Sequence, residues 1–212
     1  FLAFTDRLMG EEGTHCLCYF VLPRPDRYRF ICGMAADENR AILLYSHEQP
    51  AGPGLSLASL SARHPQFHAF EREISEQHGI EFPDHPWMKP VRFPAGKSDP
   101  AKAMDAYPFY SIEGEELHEV GVGPVHAGVI EPGHFRFQCH GEQVLHLEIH
   151  LGYQHRGVER LMTGKTGILQ RAVLAESIAG DTAVGHALAF AGLMESLAGF
   201  VAPEALHGPG EL

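Results

Sequence analysis

The sequence is poor in cysteine and basic residues and has no long apolar run. Four cysteines in 212 residues are too sparse for a disulfide scaffold, so we expect reduced thiols. Sixteen Lys and Arg residues against 27 Asp and Glu residues give a net charge of -11. That balance disfavours a nucleic-acid or anionic-membrane partner, because either requires a basic face. No stretch approaches the roughly 20 apolar residues of a membrane helix, so no direct membrane span is expected.

Apolar and aromatic runs in the first half predict an antiparallel sheet. They read HCLCYFVLP, YRFICGMA and RAILLYS, and polar turns separate them. Residues 55–79 then show helix-type periodicity, with Ser56 as a candidate cap, Pro65 as a break and Gly79 as a stop. Six prolines between residues 83 and 110 predict an extended segment that wraps around the rest.

The second half alternates between apolar and polar residues and then becomes helical. FRFQCHGEQVLHLEI predicts a hairpin that turns at His140, Gly141 and Glu142. Residues 182–201 form a helix pattern that is apolar or small almost all the way round, and such a helix must be buried or shared with a partner. The predicted fold class is α+β. We expect a sandwich-like α/β domain with a mostly antiparallel sheet (1–95), a proline-rich linker (96–117), and a small sheet with helices (118–212).

Two segments carry a family resemblance. FEREISEQHGIEFPDHP, residues 70–86, resembles the signature of the C-type component of complex I (NADH dehydrogenase). GPVHAGVIEPGHFRFQCHGEQVLHLEIHLGYQHRGVERLM, residues 123–162, resembles the start of the D-type component of complex I and of the large subunit of membrane-bound nickel-iron hydrogenases of the formate hydrogenlyase type. Their order matches the fusion of a C-like and a D-like domain. The resemblance implies a component, truncated after the first part of the D-like segment, of an NADH:quinone oxidoreductase-like or membrane-hydrogenase-like complex.

The resemblance implies candidate site residues as well. His126 matches the first histidine of the family's quinone loop, where an imidazole can hydrogen-bond a quinone carbonyl and deliver a proton. His134, His155 and Arg156 are candidates to lie near an iron–sulfur cluster of the partner small subunit and to tune its field. Without the resemblance, a structural role is favoured for each histidine, and an ordinary surface pair is favoured for the charged groups after residue 154.

Other groups of the family are missing. Ala179 and Thr182 stand where the family would place two thiolate ligands of a nickel-iron site, and Gly180 stands where it would place a quinone-facing tyrosine. The second thiolate pair is expected beyond Leu212. We therefore expect no metal site, no cofactor bound by this chain alone and no activity of the isolated chain, the iron–sulfur cluster and quinone belonging to the partner complex. Asp181 is expected to cap the following helix.

The cysteines provide a weak zinc alternative. On a regular strand, Cys16 and Cys18 share one face while His15 points to the other, and two ligands do not complete a tetrahedral site. Buried, inert thiols are therefore favoured.

Two functional interpretations remain open. In the first, the chain docks to the iron–sulfur small subunit and other subunits, contributes to a quinone site, and lies in the cytoplasm on the inner face of the cell membrane. In the second, it is a non-catalytic remnant that serves as an assembly module, or as a homodimer through the 182–201 helix. In both, the charged residues of FEREISEQHGI decorate a surface helix.

Overall fold

The computed structural model describes residues 1–94 and 98–200 of the chain. They form an α+β fold with two three-stranded antiparallel sheets, and the predicted fold class is confirmed. The chain divides into two compact units, Phe1–Tyr153 and Gln154–Leu212. The division into domains at 1–95, 96–117 and 118–212 stays a prediction. Residues 95–97 and 201–212 of these domains lie outside the described part of the chain.

The first sheet is the predicted meander. After helix α1 (Leu2–Met9), strands β1 (Thr14–Pro23), β2 (Arg27–Ala36) and β3 (Ala41–Pro50) pair in sequence order. Helix α2 (His68–His78) packs on β1. The core between sheet and helices is apolar and consists of Leu8, Tyr19, Val21, Phe30, Cys32, Met34, Leu60, Phe67, Ile74, Ile80 and Phe82.

The helical part of residues 55–79 is shorter than its periodicity predicts. Pro65 begins a single 3-10 turn that leads into α2, and Gly79 ends α2 with a φ of 66°, as expected of a glycine stop. Ser56 caps no helix; it forms a parallel bridge with Glu81. The expected cap was therefore wrong, because the residues before Pro65 pair with the chain that follows α2.

Glu71 shows that α2 is not the charged surface helix that the sequence predicts. Its carboxylate is fully buried (0% exposed). It accepts hydrogen bonds from the Ser59 and Ser61 hydroxyls at 2.6 and 2.5 Å and from the Leu60 amide at 2.7 Å. A buried carboxylate needs such donors, since an unpaired charge in the core is strongly destabilising. Glu71 therefore fixes the loop that precedes α2.

Arg72 and Glu76 fix the chain on the other side of α2. The Arg72 guanidinium is buried, donates to the Lys89 and Pro90 carbonyls at 2.6 and 2.9 Å, and lies 4.8 Å from the centre of the Trp87 ring. The Glu76 carboxylate accepts from three successive amides, those of residues 91–93. The charged motif thus anchors the proline-rich segment.

A β-bulge separates the two N-terminal cysteines. Cys16 pairs with Met34 and Cys18 pairs with Gly33, so the two side chains point to opposite faces, and the prediction of a shared face was wrong because the bulge interrupts the two-residue period. A hydrogen bond with Cys32, and then burial, raise the pKa of Cys16. Among residues 1–94 and 98–200, no group of three or more His, Cys, Asp or Glu is arranged to hold a metal ion.

The second sheet contains the predicted hairpin. Strands β4 (Leu117–Val122), β5 (His134–His140) and β6 (Gln143–His150) pair in sequence order. The β5–β6 turn consists of Gly141, with a φ of 55°, and Glu142.

The second compact unit is helical in its described part. Helices α3 (Val158–Gly164), α4 (Ile168–Glu176) and α5 (Ala183–Ala198) follow one another, and α5 packs on α4. Thr182, not Asp181, occupies the N-cap position of α5; Asp181 lies in the 3-10 turn just before it. Residue 201, the last of the predicted helix, lies outside the described part. Throughout the described residues, every helix is too short or too polar to cross a membrane.

Candidate functional site

The second sheet has a polar inner face that the proline-rich segment covers. This inner face consists of Glu119, Arg136, Gln138, His146, Glu148 and His150, placed side by side by the strand register. Gln138 and Glu148 are each only 2% exposed. Tyr107, Phe109 and Tyr110 lie over this face and contact its histidines. Polar groups buried in this way need partners.

Glu148 receives two strong partners on the inner face. The Lys89 ammonium lies 2.5 Å from one carboxylate oxygen, and the Tyr110 amide donates to the other at 2.7 Å. Burial alone raises the pKa of Glu148, but Lys89 and the Tyr110 amide outweigh it, so the pKa lies below its usual value. The carboxylate is therefore ionised and hydrogen-bonded to the proline-rich segment that covers the inner face.

His150 lies next to Glu148 and is neutral at neutral pH. It is 3% exposed. Its ring stacks on Tyr107 with 4.1 Å between ring centres, and its Nδ1 lies 3.1 Å from the Tyr153 hydroxyl. Burial, and then the nearby His134, lower the pKa of His150 to about 4. Its other ring nitrogen has no hydrogen-bond partner within the part of the chain that the structure describes.

His126 lies in the loop between β4 and β5, beside the sheet. Its Nε2 donates to the Gly133 carbonyl at 2.8 Å, and its ring stands edge-on to Phe135. Because Nε2 carries a proton in this contact, the neutral imidazole has its lone pair on Nδ1. The same loop exposes Val125 and Val129, each more than 70%, so it presents apolar side chains to solvent.

His134 closes the base of the same loop. It is the first residue of β5, and its Nδ1 lies 3.3 Å from the Gly123 carbonyl. Phe109 of the covering segment contacts its ring edge-on. The structure thus brings His126 and His134 to one loop, and it places His134 between that loop and His150.

His155 and Arg156 belong to the second compact unit. His155 is exposed. The Arg156 guanidinium donates to the Ser177 carbonyl, and to the Ile178 carbonyl at 3.2 Å. It therefore fixes the turn immediately before Ala179.

The sequence pattern does not reveal Lys89, Tyr107, Glu148 and His150 as one cluster. The alternation in β6 shows that Glu148 and His150 share a face. Lys89 and Tyr107, however, reach them from a segment that lacks periodicity. The available signal was the density of aromatic residues among the prolines of residues 83–110.

Comparisons with known proteins give relatives across most of the chain. No family model matches it. It is similar to hydrogenase-4 component G of Escherichia coli, 27% identical over 154 residues, covering 65% of this chain and 28% of that protein. The carbon monoxide-induced hydrogenase of Rhodospirillum rubrum is 36% identical over 86 residues, covering 41% of this chain and 24% of that protein. The C/D component of NADH-quinone oxidoreductase from Proteus mirabilis is 25% identical over 173 residues, covering 66% and 28%.

The chain spans little more than a quarter of the length of these curated relatives. The matches agree with the resemblance inferred from the FEREISEQHGI and GPVHAGV segments. The chain is thus a low-identity homologue of NADH-quinone oxidoreductase C/D components and of hydrogenase and formate hydrogenlyase components.

Proposed function

We propose that the chain is a docking subunit of a complex I-like or membrane hydrogenase-like oxidoreductase and is peripheral to the membrane on the cytoplasmic side. The observation that carries this proposal is the homology to both kinds of protein over about two thirds of the chain. In the proposal, a partner small subunit holds the iron–sulfur cluster, and His134, His155 and Arg156 are the candidates to lie near it. The electrons of the reaction travel through that partner.

The proposed chemistry of this chain is proton delivery by His126 to a quinone. A quinone takes up two electrons and two protons to become a hydroquinone. With Nε2 donating to the Gly133 carbonyl, a protonated His126 presents Nδ1–H to a quinone oxygen and becomes neutral when it gives up that proton. The exposed valines of the loop provide apolar contacts for the quinone ring and tail.

Hydrogen activation is not part of the proposal. Ala179 and Thr182 provide no thiolate, and soft sulfur ligands are what a nickel-iron site requires. Arg156 instead donates hydrogen bonds to the Ser177 and Ile178 carbonyls and so fixes the turn just before Ala179. We assign this turn a structural function.

Substitution of His126 tests the quinone proposal. In the assembled complex, we expect His126→Ala to lower quinone-linked turnover about 100-fold, the range for loss of a positioned proton donor. The matched control is His140→Ala, which removes an exposed turn histidine paired with Glu116 and should leave turnover unchanged. Equal turnover of both variants and the unsubstituted complex would remove His126 from the site.

A second candidate function is self-association through α5. The residues of α5 are all at least partly exposed in the chain, and Val184, Leu188 and Leu197 are among the most exposed apolar side chains. A homodimer and a heteromeric partner bury such a surface equally well. Only the homodimer gives particles that contain copies of this chain alone.

A further inference from the structure

The face of the second sheet opposite Glu148 is apolar and largely exposed to solvent, with the His126 ring against its Phe135. Its strand register places Val120, Phe137 and Leu147 side by side in one row, and Val122, Phe135 and Ile149 in the next. We call these six residues the outer face. Val122 is 43% exposed and Leu147 is 44% exposed, even though both lie within a three-stranded sheet.

In the second sheet the covered face is polar and the exposed face is apolar, which is the reverse of an ordinary half-buried sheet. Antiparallel sheets that contact water on one side usually bury the apolar side. Here the covering segment lies on the polar side, where Lys89 and Tyr110 satisfy Glu148 and Gln138 donates to the Tyr110 carbonyl and to Glu119. Because the proline-rich segment covers the inner face, a different layer is needed to remove the outer face from water.

The size of the outer face argues against a second copy of this chain as that layer. Strands about 4.8 Å apart and rising about 3.3 Å per residue make a face of about 300 Å². Two such faces stacked together contribute about 600 Å², whereas stable interfaces bury about 1,200–2,000 Å². A helix on the same face buries no more, so it fits only as one contact among several within a larger complex. A single apolar helix about 10 Å wide and about 13 residues long matches the length of the face.

The charge around the outer face indicates which helix fits. Glu115 and Glu116 precede β4, and Glu142 lies in the adjacent β5–β6 turn. At the other end, Glu131 lies in the exposed loop. Between residues 103 and 135 there is no lysine or arginine. Acidic groups at both ends repel an anionic lipid surface and attract basic residues.

We propose that the outer face of the second sheet docks an apolar helix flanked by lysine or arginine residues, contributed by another protein of the complex. This inference rests on the proposed function, because it assumes that such a complex forms. It adds the location and the chemistry of one contact.

Lysine substitutions on the outer face test the proposal in the full chain. We expect Leu147→Lys and Val120→Lys to leave the melting temperature of the isolated chain unchanged, because both side chains are already exposed. We expect each to lower at least tenfold the recovery of partner proteins with the tagged chain from its native host. The control is Gln77→Lys, which adds the same charge at an exposed position of α2, outside the second sheet, and should recover the partners normally.

A photo-crosslinker at Val122 identifies the occupant. The expected product joins the chain to a different polypeptide through a peptide that is apolar and flanked by basic residues. Crosslinks to a second copy or to another part of the same chain would overturn the proposal. Binding of the chain to anionic vesicles would also overturn it, as would a lowered melting temperature of the Leu147→Lys chain. Normal recovery of partners with the Leu147→Lys chain would also overturn it. If the unsubstituted chain recovers no partners, the proposed function itself fails, whereas the other outcomes affect only this contact.

Discussion

At the scale of single residues, His150 illustrates how burial controls protonation. It is enclosed by Tyr107, Phe109 and Tyr153. Burial and the positive fields of His134 and Arg72 lower its pKa, while Glu148 opposes them. The folded chain therefore binds this proton near pH 4, whereas the unfolded chain binds it near the ordinary value of about 6.5.

This difference predicts a pH-dependent stability. Between about pH 6.5 and pH 4 the unfolded state holds the extra proton, so the free energy of unfolding falls as the pH falls through that window. From pH 7 to pH 5 the contribution of His150 amounts to about 2 kcal/mol. His150→Phe, which retains the ring stack, should lose this part of the decrease, as measured by thermal melts at several pH values.

The control for this prediction is Gln77→Phe, a change at an exposed position of α2 that does not titrate, which should preserve the slope of the unsubstituted chain. His47, His68, His78 and His85 also have lowered pKa values. The His150→Phe chain therefore retains part of the pH dependence. An unchanged slope in that variant would contradict the burial of a neutral imidazole on the inner face.

At the scale of elements, helix α2 is held in place by charge as well as by its apolar side. Ile74 lies in the core and Phe70 packs against it, while Glu71 fixes the loop before α2 and Arg72 fixes the segment after it. The charged residues of FEREISEQHGI thus form hydrogen bonds that join one helix to two irregular segments.

Removal of the Glu71 carboxylate should therefore be costly. Glu71→Ala leaves the Ser59 and Ser61 hydroxyls and the Leu60 amide without their acceptor. We expect the free energy of unfolding to fall by about 3 kcal/mol, measured by urea denaturation. Gln77→Ala, an exposed change on the same helix, should cost less than about 0.5 kcal/mol; equal losses in both variants would show that the buried network is not the cause.

The sequence predicts the regular elements well because their patterns are local. The meander, the Gly79 stop and the turn at Gly141 follow from periodicity and backbone preference, and the structure confirms them. The faces are harder to predict, because they depend on distant contacts. The bulge after Cys16 changes which cysteine points inward, and the covering segment decides that Glu148 is buried and Leu147 exposed.

The candidate site divides in the same way. His126 and His134 were named from the family resemblance, and each contacts a glycine carbonyl at the base of the same loop; their proposed tasks stay predictions. His155 and Arg156 lie in the second compact unit. The contact of Arg156 with the turn before Ala179 joins residues more than 20 positions apart, which no local pattern encodes.

At the scale of the whole molecule, both compact units expose apolar side chains. The outer face of the second sheet and helix α5 both present apolar side chains to solvent. The relatives are components of hydrogenases and of NADH-quinone oxidoreductase. Assembly with other proteins accounts for both observations, since an apolar patch of this kind usually marks a contact surface.

Native mass spectrometry of the complex purified through a tag on this chain from its native host tests the proposed assembly most directly. We expect a particle that contains this chain together with a different polypeptide carrying an iron–sulfur cluster, detected by mass and by electron paramagnetic resonance. A chain that is recovered alone, or only with copies of itself, would contradict the proposed assembly.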